Sequence, residues 1–467
     1  MTNLSGTNLN NGAAVGPQGE GRDSPSTFPK YPAYKDSGVE WLGEIPQHWV
    51  ITKFSRHFSV RMGETIPETE LSEDGWLPVY SATERDRFYG YVDERKPLVE
   101  IGDLVIPARG NSIGFVKLVK ASATATQTTI VANVLDRKLT ESSYVYYWCL
   151  GLRRILFYFD RTAIPQITTE YVSRNPLPLP PLAEQTQIAR FLDHETARID
   201  ALIEEQQRLI ELLKEKRQAV ISHAVTKGLN PTVPMKDSGV EWLGEVPAHW
   251  EVWKLSHAFD GIGSGTTPPS TEHGWYEGGT IPWITTSELR ENVITATKKN
   301  VTAEALEKFS ALQMHPPGSL AIAMYGATIG RLGILGISAT TNQACCVLSS
   351  PRSLTPGFTF YWLSGFKEII ISLYATGGGQ PNINQDTVAS LKVPAPGIEE
   401  QRGISDFLDQ KSIEHDSLVK EAERVVAFLQ ERRSALISAA VTGKIDVRGW
   451  QPPASTQAPE SAVAEAN

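Results

Sequence analysis

The side chains of this 467-residue chain that could do covalent or metal chemistry are scattered, and few stand at the spacings such chemistry needs. The nearest approach is Asp86 followed by Glu94-Arg95-Lys96, a loose acid…E-x-K arrangement able to hold Mg²⁺ in a nuclease. Charged fragments of this kind are common on surface hairpins, so catalysis there is the weaker reading. Gly377-Gly378-Gly379 is glycine-rich but does not follow an apolar strand in a βαβ unit, so it is no dinucleotide loop. Neither a G-x-x-x-x-G-K-[ST] phosphate loop nor an Asn/Asp-Pro-Pro-aromatic methyltransferase tetrapeptide occurs. The nine histidines form no H-x-x-x-H pair, and Cys149, Cys345 and Cys346 form no CxxC pair, so no zinc site is expected. The three thiols read as buried core residues in a reducing cytosol. These residues argue against an ATP motor, a methyltransferase and a metalloenzyme, and leave binding as the chemistry to explain.

The elements that would position binding residues are written twice. Lys35-Asp36-Ser37-Gly38-Val39-Glu40-Trp41-Leu42-Gly43-Glu44 recurs letter for letter from Lys236 to Glu245, an offset of 201. The repeat continues through Pro46/Pro247, His48-Trp49/His249-Trp250 and Lys53/Lys254. Downstream the offset becomes 216: Gly110/Gly326, Ile113-Gly114/Ile329-Gly330, Gln127/Gln343, Glu184-Gln185/Glu400-Gln401 and Phe191-Leu192-Asp193/Phe407-Leu408-Asp409. The second copy therefore carries about fifteen extra residues between Ser256 and Gly318. Asp86 and Glu94 have no counterpart in it.

Within each copy, Val-, Ile- and Thr-rich runs such as Asp103-Leu104-Val105-Ile106 and Thr129-Ile130-Val131-Ala132, broken by Gly, Pro and Asn, predict a mainly β or α+β domain. Tyr144–Leu150 and Phe358–Leu363 read as buried helices with aromatics in the core. Each copy ends in a long amphipathic helix. Apolar residues recur at Ile188, Leu192, Ile199, Leu202, Ile203, Leu209, Ile210, Leu213, Val220 and Val225, and again at Ile404, Leu408, Leu418, Val419, Val425, Val426, Leu429, Leu436 and Ile437. At 1.5 Å per residue the first rod is about 65 Å long. The economical way to bury both stripes is a coiled coil of the two, with a defect where His415 replaces the Ile199 of the first copy.

Net charge is −9, which counts against unaided DNA binding, yet residues 51–176 hold 16 Lys+Arg against 15 Asp+Glu. No apolar run approaches the roughly 18 residues of a membrane span, and nothing reads as a signal peptide, so a cytoplasmic location is expected.

Ser37-Gly38-Val39-Glu40-Trp41-Leu42-Gly43-Glu44-Ile45-Pro46 with His48-Trp49, its second copy, and the Pro-Pro-x-x-Glu-Gln and Glu-Gln openings of the long helices resemble the specificity subunits of type I restriction–modification systems. Thr376-Gly377-Gly378-Gly379-Gln380-Pro381-Asn382-Ile383 and Gly326-Ala327-Thr328-Ile329-Gly330 are similar to recognition-domain loops of that family. The first copy departs from them, with Arg161-Thr162-Ala163-Ile164-Pro165-Gln166-Ile167 and Gly110-Asn111-Ser112-Ile113-Gly114, so the two domains should read different bases. The resemblance spans about residues 35–446.

It implies an α+β fold: two pseudo-repeated mixed α/β target-recognition domains separated by two long antiparallel helices forming a coiled coil. The expected boundaries are a disordered tail (1–34), target-recognition domain 1 (35–182), spacer helix 1 (183–228), target-recognition domain 2 (229–397), spacer helix 2 (398–446) and a second disordered tail (447–467). It further implies a non-catalytic subunit that reads a bipartite double-stranded DNA target. Two modification (methyltransferase) subunits and motor-nuclease restriction subunits would be its partners, and these would carry S-adenosylmethionine, ATP and Mg²⁺; this chain would bind no cofactor and no metal. Half-sites on one face of DNA lie about one turn, roughly 34–36 Å, apart. Base edges are read by polar side chains in the glycine-punctuated loops. The candidates are Tyr80, Ser81, Thr83, Arg85, Arg87, Arg109, Asn111 and Ser112 in the first domain, and Thr285, Thr286, Ser287, Arg290, Lys298, Lys299, Tyr325 and Thr328 in the second. Gln127 and Gln343, at equivalent places, are expected to be structural. Two alternatives stay open: a methylation-only or related phage-defence complex, and a coiled-coil protein-interaction adaptor.

Overall fold

The computed structural model describes residues 28–83, 87–158, 165–377 and 381–453. The chain divides into two compact units, one formed by residues up to Gln206 together with Arg424 onward, the other by Gln207–Glu423.

In the first unit the β-branched runs form an antiparallel four-stranded sheet in the order Phe58–Met62, Thr129–Val134, Leu104–Pro107, Lys117–Leu118. Leu104–Pro107 is buried on both faces, which is why it reads as a continuous apolar run rather than an alternating one. A smaller sheet centres on Leu77–Tyr80, antiparallel to Gly90–Val92 and parallel to Thr124–Ala125. The aromatic helix Ser142–Gly151 packs Tyr144 and Trp148 into a core where Phe54 stacks on Phe58 at 4.7 Å and on Trp148 at 6.1 Å. The aromatic stripe is core, as its spacing suggests.

The second unit repeats this plan with additions. Its larger sheet has five strands in the order Phe259–Ser264, Cys345–Pro351, Leu320–Ala323, Leu332–Leu335, Asn292–Ile294, and its smaller sheet joins Asn300–Val301, Ile281–Ile284 and Thr340–Thr341. The extra residues of this copy supply the fifth strand, which runs parallel to Leu332–Leu335, and the short helix Ala303–Lys308. Phe358 and Trp362 of the helix Pro356–Gly365 are fully buried, like their counterparts. All three cysteines are buried thiols. Burial pushes Cys345 and Cys346 up to about 12 and raises Cys149 as well.

The long helices run Leu182–Lys227 and Ile398–Val441. In the first unit, Gln187 donates to the carbonyls of Val447 and Trp450, while Asp200 pairs with Arg433 at 2.8 Å, so the two helix segments there are antiparallel. In the second unit, Arg217 pairs with Asp416 at 2.9 Å, and Gly228 lies beside Glu400, again antiparallel. The two ion pairs fall on equivalent positions, 216 apart, so each unit carries the same charge lock. His415, the defect in the stripe, is buried and turned back on its own helix, Nδ1 lying 2.8 Å from the Lys411 carbonyl oxygen.

The ordered chain extends beyond both boundaries drawn from composition. Tyr31, in the segment read as tail, is buried with its hydroxyl on Glu184, and Phe28 packs edge-on against Phe191 at 5.2 Å. Val447 is fully buried, and Trp450 lies 5.3 Å from Phe191. Aromatics inside polar, proline-rich segments fold because a distant helix offers them an apolar surface.

Candidate nucleic-acid interface

Both units carry a glycine-led 3₁₀ turn after a strand of the larger sheet, Leu104–Pro107 in the first and Leu320–Ala323 in the second. The turn is Gly110–Ser112 in the first unit and Gly326–Thr328 in the second. Each turn starts from a glycine with positive φ (+72° and +63°), a conformation that other residues adopt only with strain. Each is bridged at its base to a second loop: Arg109 to Gln166, and Tyr325 to Asn382. Gly110 N donates to the Pro165 carbonyl and Gly326 N to the Pro381 carbonyl, both at 3.1 Å. The loops singled out by sequence are thus brought together in pairs, on the same backbone frame in each unit.

Behind the frame, Gly63 and Gly265 let the backbone approach closely: a Cβ would stand 2.3 Å from Thr126 O at the first and 1.6 Å from Thr341 O at the second. Thr65 Oγ1 donates to Gln127 Oε1, and Thr267 Oγ1 to Gln343 Oε1. The two glutamines are therefore fasteners of the loop, as expected from their equivalence.

The side chains on the frame differ. In the first unit Arg109 and Asn111 are exposed, as is Arg87. Tyr80 is buried, and Ser81 and Thr83 are half-buried in a cluster of hydroxyls. Thr126 Oγ1 donates to Ser81 Oγ at 3.1 Å and lies 2.7 Å from Thr128 Oγ1. Arg85 and Asp86 lie outside the described residues. Gly110-Asn111-Ser112-Ile113-Gly114 also spells the G-x-S-x-G pattern of a nucleophile elbow, but it joins strand to strand instead of strand to helix. Ser112 is buried and its hydroxyl donates to the Ala82 carbonyl at 2.9 Å, so it fastens the loop.

In the second unit Tyr325, Ser287, Arg290, Lys298 and Lys299 are exposed. Thr285 and Glu288 form a reciprocal capping box over the turn Thr286–Glu288, whose Thr286 is half-buried, so Thr285 is held by local structure. Arg290 Nε donates to the Ser287 carbonyl at 3.1 Å, and Thr328 Oγ1 to the Tyr325 carbonyl at 3.2 Å. Thr376 Oγ1 donates to Asn382 Oδ1 at 3.1 Å, fixing the edge of the glycine loop, whose residues 378–380 lie outside the described residues.

Two residues that sequence reasoning missed support the first site. Lys117 reaches from the edge strand to Thr83 Oγ1 at 2.6 Å and Ser81 O at 3.3 Å. Arg153 lies over the Phe115 ring at 3.4 Å and donates to the Ile113 carbonyl at 2.8 Å. Lys117 stands between apolar residues in Phe115-Val116-Lys117-Leu118-Val119, a pattern that an edge strand with an outward lysine would share.

The repeated motifs do other work. Glu184 accepts from Tyr31 OH (2.6 Å) and Trp49 Nε1 (2.8 Å) and contacts His48 Nε2 (2.6 Å). Glu400 meets His249 Nε2 at 3.0 Å. Gln185 accepts from Glu141 N and donates to the Leu139 and Pro180 carbonyls; Gln401 does the same with Thr355, Ser353 and Pro396. The Glu-Gln pair at each helix start therefore ties helix to domain. Of the acid…E-x-K fragment, Asp86 lies outside the described residues and Arg95 is paired with Glu64 at 3.0 Å and Glu70 at 2.8 Å; among the described residues no His/Cys/Asp/Glu cluster could hold a metal. Nor, among the described residues, is any helix long and apolar enough to cross a membrane.

Residues 46–213 and 247–422 match the family described as type I restriction modification DNA specificity domain. The chain is similar to the putative type I restriction enzyme MjaX specificity subunit of Methanocaldococcus jannaschii, 28% identical over 440 residues, covering 87% of this chain and 96% of that protein. It is 24% identical over 416 residues to the type I restriction enzyme EcoR124I/EcoR124II specificity subunit of Escherichia coli, covering 84% and 92%. Among solved structures, one described as the structural basis of complex assembly and conformational transition of the type I R-M system superposes with a TM-score of 0.62 at 19% identity, over 85% of this chain and 98% of that one. The crystal structure of the HsdS subunit from Thermoanaerobacter tengcongensis gives 0.50 at 17% identity, over 86% and 98%. These structures share the fold. With both units matched, each by its own copy of the domain, the chain belongs to the type I restriction–modification DNA specificity family, and its role is that of a specificity subunit recognising a DNA target.

Proposed function

We propose that each unit reads one half of a bipartite DNA sequence and that the chain directs partner methyltransferase and motor-nuclease subunits to that site. One observation carries this reading. The two units hold the same glycine-led turn and loop bridge but present unlike exposed side chains on it, Arg109 and Asn111 in one and Tyr325 in the other. A common frame with different donors and acceptors is what two different half-sites require. The chain's net charge of −9 accords with shared DNA contact, in which the partners neutralise part of the phosphate backbone. S-adenosylmethionine, ATP and Mg²⁺ then act on the partner subunits in the cytosol, and this chain supplies the address without catalysis.

The test is sequencing of adenine methylation in cells carrying the chain with its modification subunits. A bipartite motif that vanishes when the chain is deleted is expected. Arg109→Ala with Asn111→Ala should relax one half of that motif and Tyr325→Ala the other, each costing about 1–3 kcal/mol of discrimination per lost base contact. A protein-interaction adaptor would leave no such motif, and one continuous motif would refute reading in two halves.

A further inference from the structure

We infer that Lys117 is a positioning residue for the first half-site: from inside the fold, without facing DNA, it sets the conformation of Ser81–Thr83, and it has no equivalent in the second unit. The inference rests on the reading that each unit recognises one half-site.

Lys117 lies on the edge strand Lys117–Leu118 of the four-stranded sheet and is only 3% exposed. A lysine at a sheet edge ordinarily extends into water; this one turns inward, which is costly unless its donors are met. Its Nζ donates to Thr83 Oγ1 at 2.6 Å and to Ser81 O at 3.3 Å, and stands 5.5 Å from the centre of the Tyr80 ring. Tyr80 is the last residue of the central strand of the smaller sheet, and Ser81–Thr83 is the chain leaving it. The same three residues are gripped elsewhere by Ser112, through the Ala82 carbonyl, and by Thr126 and Thr128, through the Ser81 hydroxyl. Lys117 thus joins the larger sheet to the loop at the one place where the turn Gly110–Ser112 and the smaller sheet also converge.

In the second unit the position 216 residues on is Gly333. A Cβ there would meet Ile294 at 2.8 Å and Leu289 at 3.0 Å, so apolar side chains of the added strand and its approach occupy that space. The matching loop is held instead by the Thr285–Glu288 capping box. One unit therefore fixes its reading loop from the neighbouring sheet, and the other fixes its loop locally. A change at Lys117 acts on one half-site alone.

The experiment compares methylation motifs from the assembled complex carrying wild-type chain, Lys117→Met and Thr83→Val. Methionine keeps the length and apolar stem of the lysine and removes its donors; valine keeps the shape of the threonine and removes the acceptor. Both variants are expected to lower discrimination at one half of the motif by about tenfold or more, the scale of a buried polar group left unmatched, with the other half as stringent as in wild type. A role confined to filling space predicts an unchanged motif with Lys117→Met and overturns the inference, as does an equal loss at both halves. If Lys117→Met does not assemble, Lys117→Gln takes its place beside Thr83→Val: one-sided relaxation by both supports the inference, and an unchanged motif with either overturns it. The wild-type motif separates this outcome from the underlying reading. If it is not bipartite, reading in two halves fails; if it is bipartite and both variants leave it intact, only the role of Lys117 fails.

Discussion

Glu184 and Glu400 occupy the same place in the repeated sequence, yet the structure assigns them very different weights, and replacing each with alanine tests that assignment. Glu184 is almost fully buried and accepts hydrogen bonds from Tyr31 OH and Trp49 Nε1, both on side chains withdrawn from water, besides contacting the partly exposed His48. Burial first, and the adjoining Glu184 carboxylate second, raise the Tyr31 hydroxyl well above its usual range, which keeps it a donor at any physiological pH. Hydrogen bonds to a charged group are worth about 1.5–3 kcal/mol each, and a buried donor left unmatched costs a comparable amount. Two such donors give about 3–6 kcal/mol for Glu184→Ala. Glu400 is 36% exposed and pairs with His249, itself 51% exposed, while the Trp250 Nε1 is buried with no hydrogen-bond partner among the described residues. Glu400→Ala should therefore cost about 1 kcal/mol or less, as for an exposed pair. Both glutamates sit in the first turn of a long helix, so the loss of their favourable interaction with the helix N-terminus, about 0.3–1 kcal/mol, is common to the two variants and cancels in the comparison. Urea unfolding of the full chain, followed by tryptophan fluorescence, reads the difference. Equal destabilisation by the two substitutions, or a larger effect at Glu400, would refute the view that hydrogen-bond geometry rather than motif membership sets the value of this residue.

Other perturbations bear on the frame. Gly265→Ala should destabilise the second unit by more than 2 kcal/mol, on the scale of a forced backbone shift, because its Cβ would fall on the Thr341 carbonyl oxygen, whereas Gly263→Ala meets nothing within 4 Å and should lie within about 1 kcal/mol of wild type; thermal unfolding distinguishes them. Cys345 and Cys346, pushed by burial up to about 12, should resist a thiol-alkylating reagent near pH 8 in the native chain and react once it is unfolded; rapid native labelling of either would contradict their burial. His57 is held below its usual range, by burial first and by Arg56 second, and its Nδ1 lies 2.7 Å from Thr140 Oγ1. Its folded pKa is thus lower than its unfolded one, so its contribution is fully present above about pH 6.5 and is lost as pH falls toward the folded value. The melting temperature of His57→Gln should fall less steeply than that of wild type on acidification through that window.

How far the sequence reveals the molecule depends on whether a feature is local. The duplication is visible because Lys35–Glu44 and Lys236–Glu245 are identical, and the long helices are visible because a stripe such as Ile188, Leu192, Ile199 needs no partner to be recognised. The aromatic helices follow from composition alone. Tyr31 and Trp450 are not legible in this way: each lies in a polar, proline-bearing segment, and its packing depends on Glu184 and Phe191, distant in sequence. The candidate site is partly legible. Glycine-punctuated loops point to the turns Gly110–Ser112 and Gly326–Thr328, but whether a hydroxyl faces outward or its own backbone is a matter of a few ångströms. Ser112, Thr285 and Thr328 are consumed by nearby carbonyl or amide groups. Lys117 escapes notice because an edge-strand lysine ordinarily faces solvent, and only the tertiary fold shows it turned inward.

The division between repeated and unrepeated residues has a mechanical consequence. What recurs between the two copies holds the chain together: the Glu-Gln helix starts, the buried tryptophans, the Thr–Gln fasteners and the glycine that opens each turn. The bridges between Arg109 and Gln166, and between Tyr325 and Asn382, are made by backbone atoms, so they persist whatever side chain stands there. Side chains at 109, 111, 325 and 327 can therefore be exchanged while the turn beneath them keeps its shape. A surface built this way changes its chemistry without refolding. The first unit departs from that economy at Lys117, where a side chain from the neighbouring sheet enters the site, and there an exchange of one residue should carry its neighbours with it.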